Sequence, residues 1–181
     1  GLSVPEPAGL RYAERGLLPA PVPATRACAS RVRAALDATR ALAESAAAGT
    51  VPPAAELDAL LALLQRLERA FDRARRAIAL HLSDLDPGAE SARADEVLLL
   101  KVQRAGDRFQ LRSRRDRAPI ENHAADAGGA AQARDLARAA TRLVTTLESL
   151  AGQVDGYLTA HADGSFLDPV ERARLPRLER Y

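Results

Sequence analysis

The sequence predicts an all-α fold, an antiparallel bundle of three to four long helices with a Pro-rich N-terminal segment and a short C-terminal helix. Three observations carry this. Hydrophobic residues make up 47% of the chain while aromatics are only 3% and Trp is absent, so the apolar content is chiefly Ala and Leu, which favour helix. Two stretches repeat apolar residues at alternating steps of three and four, the signature of one helix face. Clusters of Pro, Gly and Asp punctuate the chain between them. At 181 residues the chain is long enough for one real core and short to divide, so a single bundle domain over 24–181 is expected behind an N-terminal segment over 1–23.

The first segment holds Pro5, Pro7, Pro19, Pro21 and Pro23, each lacking a backbone donor and disfavouring helix at the residue before it. A short helical turn fits between Pro7 and Pro19, and its Leu10, Tyr12, Leu17 and Leu18 are expected to lie across one end of the bundle. An alanine-rich helix then runs from about Ala24 to Ala48 and stops at Gly49, which accepts a left-handed conformation. After Thr50 and two prolines comes the first seam, Leu57, Leu60, Leu64, Leu67, Phe71, Ala74, Ile78 and His81, widened by Leu61, Leu63 and Leu82. It ends at the turn formers Ser83 to Gly88.

Residues 96–113 fit two patterns. As a helix they put Leu98, Val102, Ala105 and Phe109 on one face; as a hairpin, LLLKVQ and RFQLRS flank a turn at Arg104 to Asp107. The helical character of every other element favours helix to about Arg104 with a break at Gly106-Asp107. Pro119 to Gly129 reads as a loop with at most one helical turn. The second seam follows from Ala130, with Leu136, Ala140, Leu143, Leu147, Leu150, Val154, Tyr157 and His161. Each seam spans roughly 45 Å at 1.5 Å per residue, and wants partners of similar length. A final short helix is expected from a capping box at Asp168, Pro169 and Glu171.

Charged residues are 28% of the chain with a formal net charge of +2, so bulk charge does not mark a polyanion binder, although the pI near 9.1 leans basic. Only Lys101 among the 26 basic residues is lysine, a bias that coding from GC-rich DNA commonly produces, as in many bacteria. The single Cys28 excludes an internal disulfide and suits a reducing cytoplasm. No apolar run approaches the ~18 residues of a membrane span, and no leader pattern opens the chain. A cytoplasmic protein without membrane association is therefore expected.

Chemistry-bearing patterns are sparse. His81, His123 and His161 form no helical His-x-x-x-His or Glu-x-x-His pair, so no metal site is expected, and the seams carry Leu where a di-iron bundle places its carboxylates. His81 and His161 read as residues closing the C-terminal ends of the two seam helices. Cys28 stands alone, and the sequence has neither a Gly-x-Ser-x-Gly turn nor a phosphate-cradling Gly loop. No catalytic residue and no cofactor are expected. The densest charge is RFQLRSRRDR, where Arg108, Arg112, Arg114, Arg115 and Arg117 surround Phe109; arginines beside a ring can neutralise phosphates and stack on bases.

The run GLRYAERGLLPAP, Gly9 to Pro21, resembles the stretch closing the helix-turn-helix of mercury-resistance-type (MerR-type) regulators, and the likeness implies a DNA-binding head. It covers about a dozen residues, has Ala13 where a second tyrosine is usual, and lacks one residue before Gly16-Leu17-Leu18. Such a head needs a helix upstream, where eight residues precede Gly9. The closing YLTAHADGSFLDPVERARLPRL is similar to the helix-turn-helix of some phage regulatory and tellurite-resistance-type helical proteins over about twenty residues. No functional residue is carried over from either. The sequence thus points to a non-catalytic bundle acting through macromolecular interaction, as an adaptor, chaperone or regulatory subunit, with self-association expected from its two wide seams. The alternative is a nucleic-acid-associated regulator using Arg108 to Arg117, and a third is a bundle holding a small ligand between the seams.

Overall fold

A computed structural model of the chain describes residues 21–84, 90–123 and 129–163. Among these residues there are five helices and no strand: α1, Pro21–Ala47; α2, Ala54–Asp84; α3, Glu90–Asp116; the single-turn α4, Ala118–Glu121; and α5, Ala130–Asp163. The expected N-terminal turn and the capping box at Asp168 lie outside the described residues.

Local chemistry sets the helix boundaries. Pro21 and Pro23 sit in the first turn of α1, where backbone donors have no intrahelical acceptor, so the helix starts ahead of the proline-rich limit drawn at residue 23. At its other end Gly49 takes φ +84°, its N–H donates to Ala46 O at 3.0 Å and that of Thr50 to Ser45 O at 2.9 Å. This paired closure is the one a left-handed residue makes possible. Pro52 and Pro53 then precede α2.

The stretch over 96–113 is helix, and the break expected at Gly106-Asp107 is absent: α3 runs through both residues to Asp116. Gly106 is there for space. A Cβ built on it would run into the ring of Phe71 on α2, which is itself fully buried. A residue with low helix propensity is thus held helical by the close approach it permits. The chain departs from α3 only near Pro119, which lacks a donor and crowds the carbonyl four residues earlier. Arg117 N–H still donates to Ser113 O at 2.8 Å, and α4 carries Ile120 into the core.

The helices alternate in direction. Arg33 pairs with Asp155 and Arg40 with Glu148, so α1 and α5 run antiparallel; Arg75 with Asp107 and Arg117 with Glu68 show the same for α2 and α3. Around the bundle α1 neighbours α2 and α5, and α3 neighbours α5 and α2. Both predicted seams face the centre. Leu57, Leu60, Leu64, Leu67, Phe71, Ala74 and Ile78 are buried, as are Leu136, Ala140, Leu143, Leu147, Leu150, Val154 and Tyr157. Leu61 and Leu63 are half-buried and pack against that core.

Two details differ from the sequence reading. On α3 it is Leu99, with Val102, Ala105 and Phe109, that is buried, while Leu98 is only partly covered. More important, the two seams are covered by the helices of one copy.

Candidate interaction site

The predicted arginine cluster is divided by its own helix. At about 100° per residue, Arg108, Arg112 and Arg115 share one exposed face of α3, while Arg114 and Arg117 point elsewhere. Phe109 is fully buried, so its ring offers no face to a base. Arg117 is also buried, and its guanidinium holds Glu68 at 2.7 Å and Glu121 at 3.8 Å. Arg115 contacts Asp116 at 3.4 Å. Arg108, Arg112 and Arg114 are exposed, and the apolar side chain beside them in solvent is Leu111, which has no ring to stack.

A different basic site forms from arginines that the sequence reading did not single out. Pro23, Ala24, Ala27 and Arg31 of α1 face Arg66, Arg69, Ala70 and Arg73 of α2 across a groove of about 360 Å3. The four arginines are exposed, and among the described residues none has an acidic partner. No carboxylate lines the groove. Arg66, Arg69 and Arg73 share one flank of α2 because their spacing is three and then four. Arg31 joins them only because α1 and α2 fold back on one another. The spacing on α2 was visible in the sequence; its partner on α1 was not.

Further along the same pair of helices lies an apolar hollow of about 260 Å3. It is lined by Ala38, Ala41, Leu42 and Ser45 of α1 and by Leu57, Ala59, Leu60 and Leu63 of α2, with Pro52 and Glu56 at its end. The edge between α1 and α2 is therefore cationic over one half and apolar over the other.

At two other places basic and acidic groups are paired. Arg115, Arg138 and Arg142 border a depression of about 180 Å3 between the end of α3 and α5, but Asp116 and Asp135 share it. The buried Asp116 carboxylate lies 3.4 Å from Arg115 Nε and 3.9 Å from Arg142 Nη1. At the α2/α3 edge Arg75 Nη2 donates to Asp72 at 2.7 Å and to Gln110 Oε1 at 3.3 Å, its other nitrogen reaches Asp107 at 3.4 Å, and its guanidinium lies 5.3 Å from the Phe71 ring centroid.

Cys28 is fully buried on the inner face of α1, and burial pushes its thiol up to about 12. It remains protonated and unreactive in the folded protein at neutral pH. His123 lies 2.9 Å from an Asp58 carboxylate oxygen, tying the segment after α4 to the start of α2. His161 and His81 are half-buried near the C-terminal ends of α5 and α2, with His161 4.3 Å from the Tyr157 ring. Among the described residues no group of His, Cys, Asp and Glu is arranged to hold a metal ion, and no helix is long and apolar enough to cross a membrane. No protein-family model matches the chain, and no curated protein or solved structure matches it either.

Proposed function

We propose that the chain is a non-catalytic binding protein, an adaptor or regulatory subunit, whose α1/α2 groove receives an acidic segment of a protein partner. The observation that supports this is the groove whose lining holds four exposed arginines from two helices, Arg31, Arg66, Arg69 and Arg73, and no carboxylate. Like charges gathered this way cost the folded state energy, and an acidic ligand relieves that cost while gaining charge-assisted hydrogen bonds.

Anisotropy of a labelled Asp/Glu-rich peptide tests the reading. Binding should weaken steeply with salt and vanish in a variant carrying Arg66→Glu, Arg69→Glu and Arg73→Glu. Equal signals from the wild type and that variant, or no binding at low salt, would remove it.

A second reading, nucleic-acid binding, is favoured by Arg108, Arg112 and Arg114, which are exposed and have no acidic partner among the described residues. It predicts a gel shift that is lost when these three become alanine. Without the ring of Phe109 it relies on phosphate contacts alone, and such contacts read no sequence.

A further inference from the structure

Resting on the reading of the groove as a site for an acidic protein segment, we infer that its occupant is an amphipathic helix lying along the whole α1/α2 edge. Its acidic end sits against Arg31, Arg66, Arg69 and Arg73, and its small-residue apolar end in the hollow at Ala38, Ala41, Leu60 and Leu63.

The registers of the two edge helices carry the argument. On α1, Ala24, Ala27, Arg31, Ala34, Ala38, Ala41 and Ser45 follow one another at steps of three and four without interruption; on α2, Glu56, Ala59, Leu63, Arg66, Ala70 and Arg73 do the same. Residues of both rows line the two hollows, which places the hollows on one continuous edge. Ala24 reaches the core, and the other positions lie one residue before the buried ones, so each helix carries a second, more exposed stripe flanking its inward face. Two parallel ridges of that spacing form the kind of groove into which a third helix packs its own ridge.

Alanine sets how close that helix comes. Five of the seven positions on α1 are Ala, and Ala59 and Ala70 face them from α2. Short side chains on both walls admit a helix near the lower end of the usual 8–10 Å axis separation, whereas bulky walls would hold it off. The rows extend from Ala24 to Ser45, roughly 30 Å, which matches about 20 residues of helix.

Backbone chemistry separates a helix from an extended peptide. The walls are helices whose own N–H and C=O groups are already paired, and over the apolar half the lining side chains are almost all Ala, Leu and Pro. An extended segment laid there would lose water from backbone groups without gaining partners. A helix arrives with its backbone bonds made. Nucleic acid fits less well for a different reason, because its phosphates repeat along the whole strand while the arginines occupy only one half of the edge.

The test uses the full chain and four labelled probes of equal charge where charge applies. The first is a peptide of about 20 residues, long enough to span the edge as a helix, with Glu on the first half of its contact stripe and Ala and Leu on the second. The second is a scrambled sequence of the same composition, the third the first peptide with two central prolines, and the fourth a short DNA duplex. The patterned helix should bind at least ~10-fold more tightly than the scrambled and proline peptides, a gap of about 1.4 kcal/mol. Ala38→Gln with Ala41→Gln should weaken it by a similar factor while circular dichroism stays unchanged. Ala41→Gln alone, at an exposed position, serves if the double variant unfolds.

Equal binding of the patterned, scrambled and proline peptides, all abolished by Arg66→Glu with Arg69→Glu and Arg73→Glu, overturns the helix and leaves the acidic-segment reading standing. No binding of any acidic peptide overturns both. Tighter binding of the duplex than of any peptide, lost in the same arginine variant, makes the edge a nucleic-acid site and also overturns both.

Discussion

The two flanks of α2 carry the same residue type and treat it in opposite ways. On the α3 side Arg75 is clasped by Asp72, Asp107 and Gln110 over the Phe71 ring, and Glu68 receives the buried Arg117. On the α1 side Arg66, Arg69 and Arg73 meet Arg31 with no acid between them. The first flank is closed, with Gly106 letting the backbone of α3 come onto a ring; the second is open, with alanines along a groove. Arginine content therefore says little by itself. Whether a guanidinium ties helices together or waits for a ligand depends on what the neighbouring helix places opposite it.

Changes that break the closed flank should have the largest effects. Gly106→Ala forces a Cβ into Phe71, a ring with no exposed side to move toward, and should lower unfolding free energy by about 2–3 kcal/mol in urea titrations. If the variant instead melts with the wild type, the packing of α3 on α2 is looser than described. Glu68→Gln leaves the Arg117 guanidinium buried against a neutral amide. A loss of roughly 2 kcal/mol is expected, and no loss would mean Glu121 alone satisfies Arg117.

The inner side of α1 should report through pH. Because folding raises the Cys28 thiol from 9.0 to about 12, the folded chain keeps a proton that the unfolded chain releases above pH 9. Its contribution is thus complete below pH 9 and is lost as pH rises toward 12, at about 1.4 kcal/mol per pH unit. Urea midpoints at about pH 8 and about pH 10 should fall further for the wild type than for Cys28→Ala. Parallel declines in the two proteins would place Cys28 in contact with water.

The smallest effects belong to open surfaces. At Gly156 an added Cβ meets nothing within 4 Å, so Gly156→Ala should raise stability by about 0.5–1 kcal/mol, opposite in sign to Gly106→Ala. A gain at both positions would show that helix propensity, not the Phe71 contact, governs the two sites. Arg40, paired with Glu148 at 3.0 Å but half exposed, should change by less than about 0.5 kcal/mol on replacement by Ala.

The bundle was legible because its information is local: a three-and-four repeat identifies the buried face of a helix whatever packs against it. The seam from Leu57 to Ile78 and that from Leu136 to Tyr157 are buried along their length for this reason. Gly106 was misread because its role depends on Phe71, more than thirty residues away, and local propensity contains no term for that ring. The arginine cluster was legible only in part. Density in sequence drew attention to Arg108 through Arg117; the helix keeps Arg108, Arg112 and Arg115 on one exposed face, while two of the six residues singled out there, Phe109 and Arg117, point inward. Arg31 and Arg66 are separated by most of α1 and the turn after it, and only the antiparallel pairing brings them together.

The account turns on the claim that the arginines of the α1/α2 edge do no structural work. Urea unfolding at low salt of a variant with Arg66→Ala, Arg69→Ala and Arg73→Ala measures this directly. Removing like charges at spacings of three and four should leave stability unchanged or raise it by up to about 1 kcal/mol, with the gain shrinking as salt is added. A loss of about 2 kcal/mol, comparable to that expected for Glu68→Gln, would show that these arginines hold the fold and would contradict the distinction between the two flanks.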